Sequence, residues 1–380
     1  MELVSSPLDT MDNLVAEPVP LHSPVSVSST LLSPYHFEST NEKLQLYWLK
    51  NPPVNVFLRL MGIILYVPDV SIWLNALQVT YSLFIFSGLA MMIVGGSTMI
   101  YYSTIDYYGS LCADEAFVVF GATLILQVVT LVFSLLEMHR RMNSITTRND
   151  VLIMNTSLNS AYFVLILSLV IGLAPAFIGH QSVLFVIGEI SICCVLTGVM
   201  YFITTDCKVA RILLDQLIEQ QRLQMLTFEQ YLMVRNEIRR RQSSSAWFNN
   251  GIVFVALLDI LCVLISVFIG MNPSSPHTIF VWSLFMKEVP FLCVVYWQVA
   301  QVNEKSLAFL ASLAEKRWSV EDGRNQERKD IFVCALGCPI TMSLAGMELT
   351  RKDLVLQLAA WFVAFLLSVL RSAAVEGISV

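Results

Sequence analysis

Four ionisable side chains stand inside long apolar runs: Glu189, Asp259 and the adjacent Lys287 and Glu288. On insertion scales a charge at the centre of a membrane helix costs about 2.5–3.5 kcal/mol, so such groups turn toward protein or a polar cavity and pair with one another. Counted from the ends of their runs opposite the loop cations, Glu189, Asp259 and Lys287 fall in the outer half or near the middle, where Lys287 can pair with either acid. Two readings follow. One is a structural ion pair inside a helix bundle. The other is the polar floor of an outward-facing small-molecule pocket between the second and sixth spans, with Phe117, Phe185, Phe268, Phe280 and Trp282 as apolar wall. A second set is periodic: Gln357, Trp361, Ala364 or Phe365, and Ser368 recur at three to four residues and give an otherwise apolar helix one face of mixed polarity. That face either lines a polar path or packs on neighbouring helices, where small and polar residues also gather.

Catalytic chemistry finds no such support. Cys334-x-x-x-Cys338 places two thiols on one helix face, but no nearby His or second Cys pair completes a zinc set. His22, His36, His139, His180 and His277 are scattered, and no phosphate-cradling Gly loop or nucleophile motif is present. The expectation is a protein that is not an enzyme, with no metal, no cofactor and no nucleic-acid partner.

The elements that must carry these residues follow from composition. Of 380 residues 56% are hydrophobic and 14% charged, with mean hydropathy +0.67, which excludes a water-soluble domain and makes lipid the solvent. Seven runs approach the roughly 20 residues that cross about 30 Å of hydrocarbon: Ala76–Tyr102, Ala116–Met138, Val151–Ile178, Val183–Thr205, Gly251–Met271, Thr278–Val302 and Leu354–Leu370. The segments that alternate with them on one side carry 21 of the 23 Lys and Arg; only Lys287 and Arg371 fall elsewhere. By the positive-inside rule that side, and the N-terminus with it, is cytoplasmic and the C-terminus extracellular.

The expected class is thus all-α, a polytopic membrane protein of seven transmembrane helices, at the plasma membrane. A disordered tail spans 1–40, without the pattern of a signal peptide. Pre-span interfacial or re-entrant helices fill 41–75, and spans one to four fill 76–205. Residues 206–250 form a cytoplasmic helical extension, with Val209, Ile212, Leu213 and Leu217 at helical spacing; spans five and six follow over 251–302 and anchor helices over 303–349. Asp330–Leu344 reads as a short apolar helix, after which Gly346 and the capping-box spacing Thr350-Arg-Lys-Asp353 split the last helix from it, so that a separate helix runs over 350–371.

Taken together, the seven spans, inner N-terminus, short pre-span helix, cytoplasmic extensions and split final helix resemble the insect gustatory and odorant receptor superfamily. Phe57-Leu-Arg-Leu-Met-Gly-Ile63 looks like its pre-span segment and Leu344–Leu354 like the approach to its last helix. The family's final signature, Thr-Tyr, five apolar residues, then Gln-Phe, aligns with Ala360-Trp361, Phe362–Leu366 and Leu367-Ser368, keeping an aromatic and the apolar filling. The resemblance implies a homotetrameric, ligand-gated channel for monovalent or divalent cations. In it Trp361 takes the Tyr position on the pore-lining helix, Ala364 the apolar constriction and Leu367 the Gln position.

Three other classes compete. A seven-helix G-protein-coupled receptor needs the opposite orientation, and its Asp/Glu-Arg-Tyr and Asn-Pro-x-x-Tyr signatures are absent. A transporter calls for repeats with paired broken helices, whereas the sequence announces one break. A non-conducting membrane scaffold would use Ala364 and Leu367 as a permanent plug.

Overall fold

The computed structural model describes residues 51–63, 71–108, 110–142, 148–178, 183–268, 283, 286–315, 323–348 and 350–353. They form eight helices and one small hairpin. The helices are α1 (Pro52–Leu60), α2 (Ile72–Tyr108), α3 (Ser110–Met142), α4 (Arg148–Ile178), α5 (Val183–Arg222), α6 (Phe228–Phe268), α7 (Val289–Glu315) and α8 (Gly323–Gly337). The hairpin pairs β1 (Ser343–Leu344) with β2 (Met347–Glu348), antiparallel, Ser343 opposite Glu348 and Leu344 opposite Met347.

Among the described residues, four helices hold stretches long and apolar enough to cross a membrane, Ile72–Thr98, Gly121–Arg141, Ile153–Ala174 and Val183–Arg222, in register with the first four predicted runs. Their burial differs sharply. The most apolar stretch of α5 is 72% buried, against 33% for α2 and for α4, so α5 is the bundle's centre and the others are its wall. On α4, Phe163, Ile166 and Val170 are 62–68% exposed and recur every three or four residues, an apolar outer stripe that suits lipid and not water.

Close approach of α2 to α5 depends on glycine. A Cβ at Gly188 would lie 2.8 Å from the Met92 Cα, and one at Gly88 would overlap the Ser191 hydroxyl. Small residues at such crossings let backbones meet where apolar burial alone gives no preference for protein over lipid. The short α1 begins at Pro52-Pro53 behind an Asn51 cap and ends at Gly62, φ 78°, with Ile63 N donating to Leu58 O over 3.1 Å. It buries Val54, Phe57 and Leu58, with the Phe57 ring 4.6 Å from Tyr201 and 5.2 Å from Tyr162 between centroids.

At the cation-rich end α5 runs past Thr205 to Arg222 without a break. The chain then turns through Gln224, φ 61°, and α6 starts on a capping box in which Thr227 N donates to Gln230 Oε1 (3.1 Å) and Gln230 N to the Thr227 hydroxyl (3.3 Å). The extensions that the sequence places beyond spans four and six are therefore continuous helices. Two expectations need correction. The sixth run, Thr278–Val302, is interrupted among its described residues: a turn at Lys287–Glu288 precedes the helix that starts at Val289, where Pro290 has no N–H for the carbonyl of Met286. Residues 278–282, 284 and 285 lie outside the described set. The short helix expected over Asp330–Leu344 is α8, Gly323–Gly337; beyond it Pro339 and the hairpin replace helix.

Candidate functional site

At the end of the bundle away from the cations, α5 carries Glu189 two turns from its start, facing Lys287 at the interruption before α7. The Lys287 ammonium donates to both carboxylate oxygens, at 2.8 and 2.9 Å, and the two side chains are 2% and 0% exposed. A Cβ on Gly172 of α4 would sit 3.0 Å from Glu189 Oε2 and 3.4 Å from Lys287 Cδ, so α4 closes over the pair at a residue without a side chain. Two-point contact in a dry setting is the arrangement in which a buried ion pair offsets its desolvation. Glu288 is also buried, at 3%. Phe185, one turn above Glu189, is fully buried, its backbone N 2.9 Å from a Cβ placed on Gly95 of α2.

Of the two acids open to Lys287, the described residues show it paired with Glu189. Asp259 and Phe268 belong to α6, but their side chains, and that of Phe117, lie outside the described set; so do Phe280 and Trp282. The pore candidates Gln357, Trp361, Ala364, Phe365, Leu367 and Ser368 are likewise outside it.

What is described is the base from which that last segment departs. Ala345 and Gly346, φ 49° and 79°, form the two-residue turn of the hairpin. The Asn303 side chain of α7 grips Met342 next to it, donating to the carbonyl (3.0 Å) and accepting from the amide (2.8 Å). Thr350 then caps the next turn: Thr350 N and its hydroxyl donate to Asp353 Oδ2, both 2.8 Å, and Asp353 N donates to the hydroxyl (3.4 Å). The hydroxyl and amide of Thr350 hold the Asp353 carboxyl below the usual carboxylate range. Arg351 bridges to Glu304 at 2.8 Å and lies over the Trp297 ring at 4.7 Å, which ties this turn to α7.

One polar centre went unread in the sequence. Arg141 at the end of α3 binds both Asp206 of α5 and Ser245 of α6, with Ser245 also donating to Asp206. The guanidinium is 5.7 Å from the ring centroids of Phe202 and Phe248, which stack on each other. Arg241 reaches Asp206 at 3.6 Å and Glu237 at 2.8 Å. Burial pushes the Glu237 carboxyl up, and hydrogen bonds from Arg240 with the charges of both arginines outweigh it, leaving it below the ordinary value. The signal was available: Asp206 and Arg141 each stand just past the inner end of a span, at one depth. At 1.5 Å per residue the centre lies about 25 Å along α5 from Glu189, so one buried charge cluster stands near the start of the central helix and the other near its middle, at the inner end of its apolar part.

No protein-family model matches the sequence, and no curated protein matches it. Among solved structures, the insect olfactory receptor OR5 from Machilis hrabei is similar over 84% of this chain and 97% of that one, with 10% identity and a TM-score of 0.45.

Proposed function

We propose that the protein is a multi-pass receptor channel of the plasma membrane, gustatory-receptor-like, N-terminus and cation-rich end in the cytoplasm. Four copies would enclose a cation path lined by the helix that begins at Thr350, with Gln357, Trp361, Ala364, Phe365, Leu367 and Ser368 on its pore face. A small molecule in the outer half of the bundle, near Glu189, Lys287 and Phe185, would open it. The observation that carries the reading is the fixed base of the last segment. Asn303 of α7 holds Met342 ahead of the hairpin, the Thr350–Asp353 box caps the segment's first turn, and Arg351 ties that turn to α7 through Glu304, while α7 also leads back to the turn holding Lys287. One helix thus joins the buried pair to the start of the predicted pore. An apolar constriction at Ala364 and Leu367 gates by dewetting.

Whole-cell current in a non-native cell tests this, with surface levels matched. Ala364→Ser and Leu367→Gln are expected to raise resting cation current, and Val363→Ser, on the face assigned to the bundle, to leave it unchanged. Unchanged current in both pore variants, with no ligand opening the wild type, would favour the scaffold. A second reading, carrier-type transport, gains from the interruption at Lys287–Glu288, since transporters bind substrate at broken helices near the midplane; saturable uptake without channel-sized current would select it.

A further inference from the structure

Two adjoining clefts, of about 360 and 290 Å³, open between α4, α5, α7 and the turn that starts the last segment, and they share Arg211 and Lys305. Lys208 lines the first and Arg351 the second. Of these four cations, two face carboxylates: Lys305 pairs with Asp215, and Arg351 with Glu304. The other two direct their hydrogen bonds to neutral groups, with Asp215 near Arg211 as well. Lys208 Nζ donates to the Thr156 carbonyl (3.0 Å) and hydroxyl (3.3 Å), and Arg211 donates to Gln298 and Gln301. Arg211 Nε is buried with no hydrogen-bond partner among the described residues. The lining thus carries two positive charges in excess and an unused guanidinium donor.

Depth and surroundings identify the ligand. Lys208 and Arg211 lie three and six residues beyond Thr205, or about 4.5 and 9 Å along the helix, which is the layer between hydrocarbon and bulk water. Ile212 in the same cleft is 38% exposed, on the helix whose neighbour α4 shows its apolar stripe outward. A cation-rich cleft at this depth, open between helices beside an apolar surface, suits the phosphate of a lipid whose chains lie along the bundle. Arg is fitted to grip phosphate by two parallel donors, and Lys adds a point charge.

We propose that this cleft binds the phosphorylated headgroup of an anionic membrane lipid, with Lys208 and Arg211 as its principal ligands and Arg351 linking the bound headgroup to the first turn of the last segment. Headgroup occupancy does not depend on whether that segment conducts, so the proposal stands or falls apart from the channel reading.

The test uses the purified full chain in neutral detergent, reading thermal unfolding against short-chain phosphatidylinositol phosphate, short-chain phosphatidylcholine and inorganic phosphate. The phosphatidylinositol phosphate is expected to raise the midpoint saturably, and the other two to leave it unchanged at equal concentration. Lys208→Gln with Arg211→Gln should weaken the apparent affinity about tenfold or more, while Arg222→Gln, an exposed cation outside the cleft, should not alter it. If the double variant does not fold, Lys208→Gln alone is read instead, by native mass spectrometry of retained lipid. An equal response from phosphate would assign the cleft to a free anion and overturn the lipid source; an equal response from the double variant, or none from the wild type, would overturn the site.

Discussion

Lys287 and Glu189 hold each other's charge with no other ionic partner of Glu189 among the described residues, and this fixes what mutation does. Lys287→Met strands a carboxylate in a dry bundle and should cost about 3–5 kcal/mol. Adding Glu189→Gln should recover a large part of that, because the double variant leaves neither member of the pair charged. Detergent-solubilised thermal unfolding of the two singles and the double measures the coupling, and additive losses would dissolve the pair. The hairpin makes an opposite prediction. Ala345 adopts φ 49°, a conformation that costs a residue with a Cβ about 1–2 kcal/mol. Ala345→Gly should therefore raise the unfolding midpoint, and Gly346→Val, at φ 79°, should lower it.

Among the elements, the α2–α5 crossing is the most exacting contact, since Gly188 meets the Met92 backbone. Gly188→Leu should separate the helices and destabilise the fold by about 1–3 kcal/mol or more. The same change at Gly337, whose Cβ meets nothing within 4 Å, should move stability far less. Expression and thermal unfolding of the two variants check the contrast. The spans before α6 were legible because lipid forces length and apolarity on any crossing helix, and the Thr350 box was legible because capping is local. The end of α8 and the interruption before α7 were not. Both lie at prolines, Pro290 and Pro339, whose missing N–H interrupts a helix, and the path beyond α8 is fixed by a distant partner, Asn303 on Met342, that no local pattern names. Hydropathy flagged Glu189, Lys287 and Asp259 alike; only the packing of α4 and α5 around Gly172 identifies Glu189 as a partner of Lys287. The Arg141–Asp206–Ser245 centre escaped because its members lie 39 to 104 residues apart.

At the scale of the whole molecule, a charge cluster at each end of the apolar part of α5 makes that helix a rigid axis, and the proposed gate stands on the inner part of the bundle through α7. Orientation follows from the loop cations: in unpermeabilised cells a tag after Val380 should be labelled and one before Met1 should not, and the reverse would restore the G-protein-coupled arrangement. The central claim is that four copies surround a path formed by the helix that starts at Thr350. Imaging of the purified, lipid-reconstituted particle tests it most directly. The account predicts a four-fold particle with that helix nearest the axis and Ala364 or Leu367 at its narrowest point. A monomer, or a particle whose axis is lined by any other helix, would contradict it.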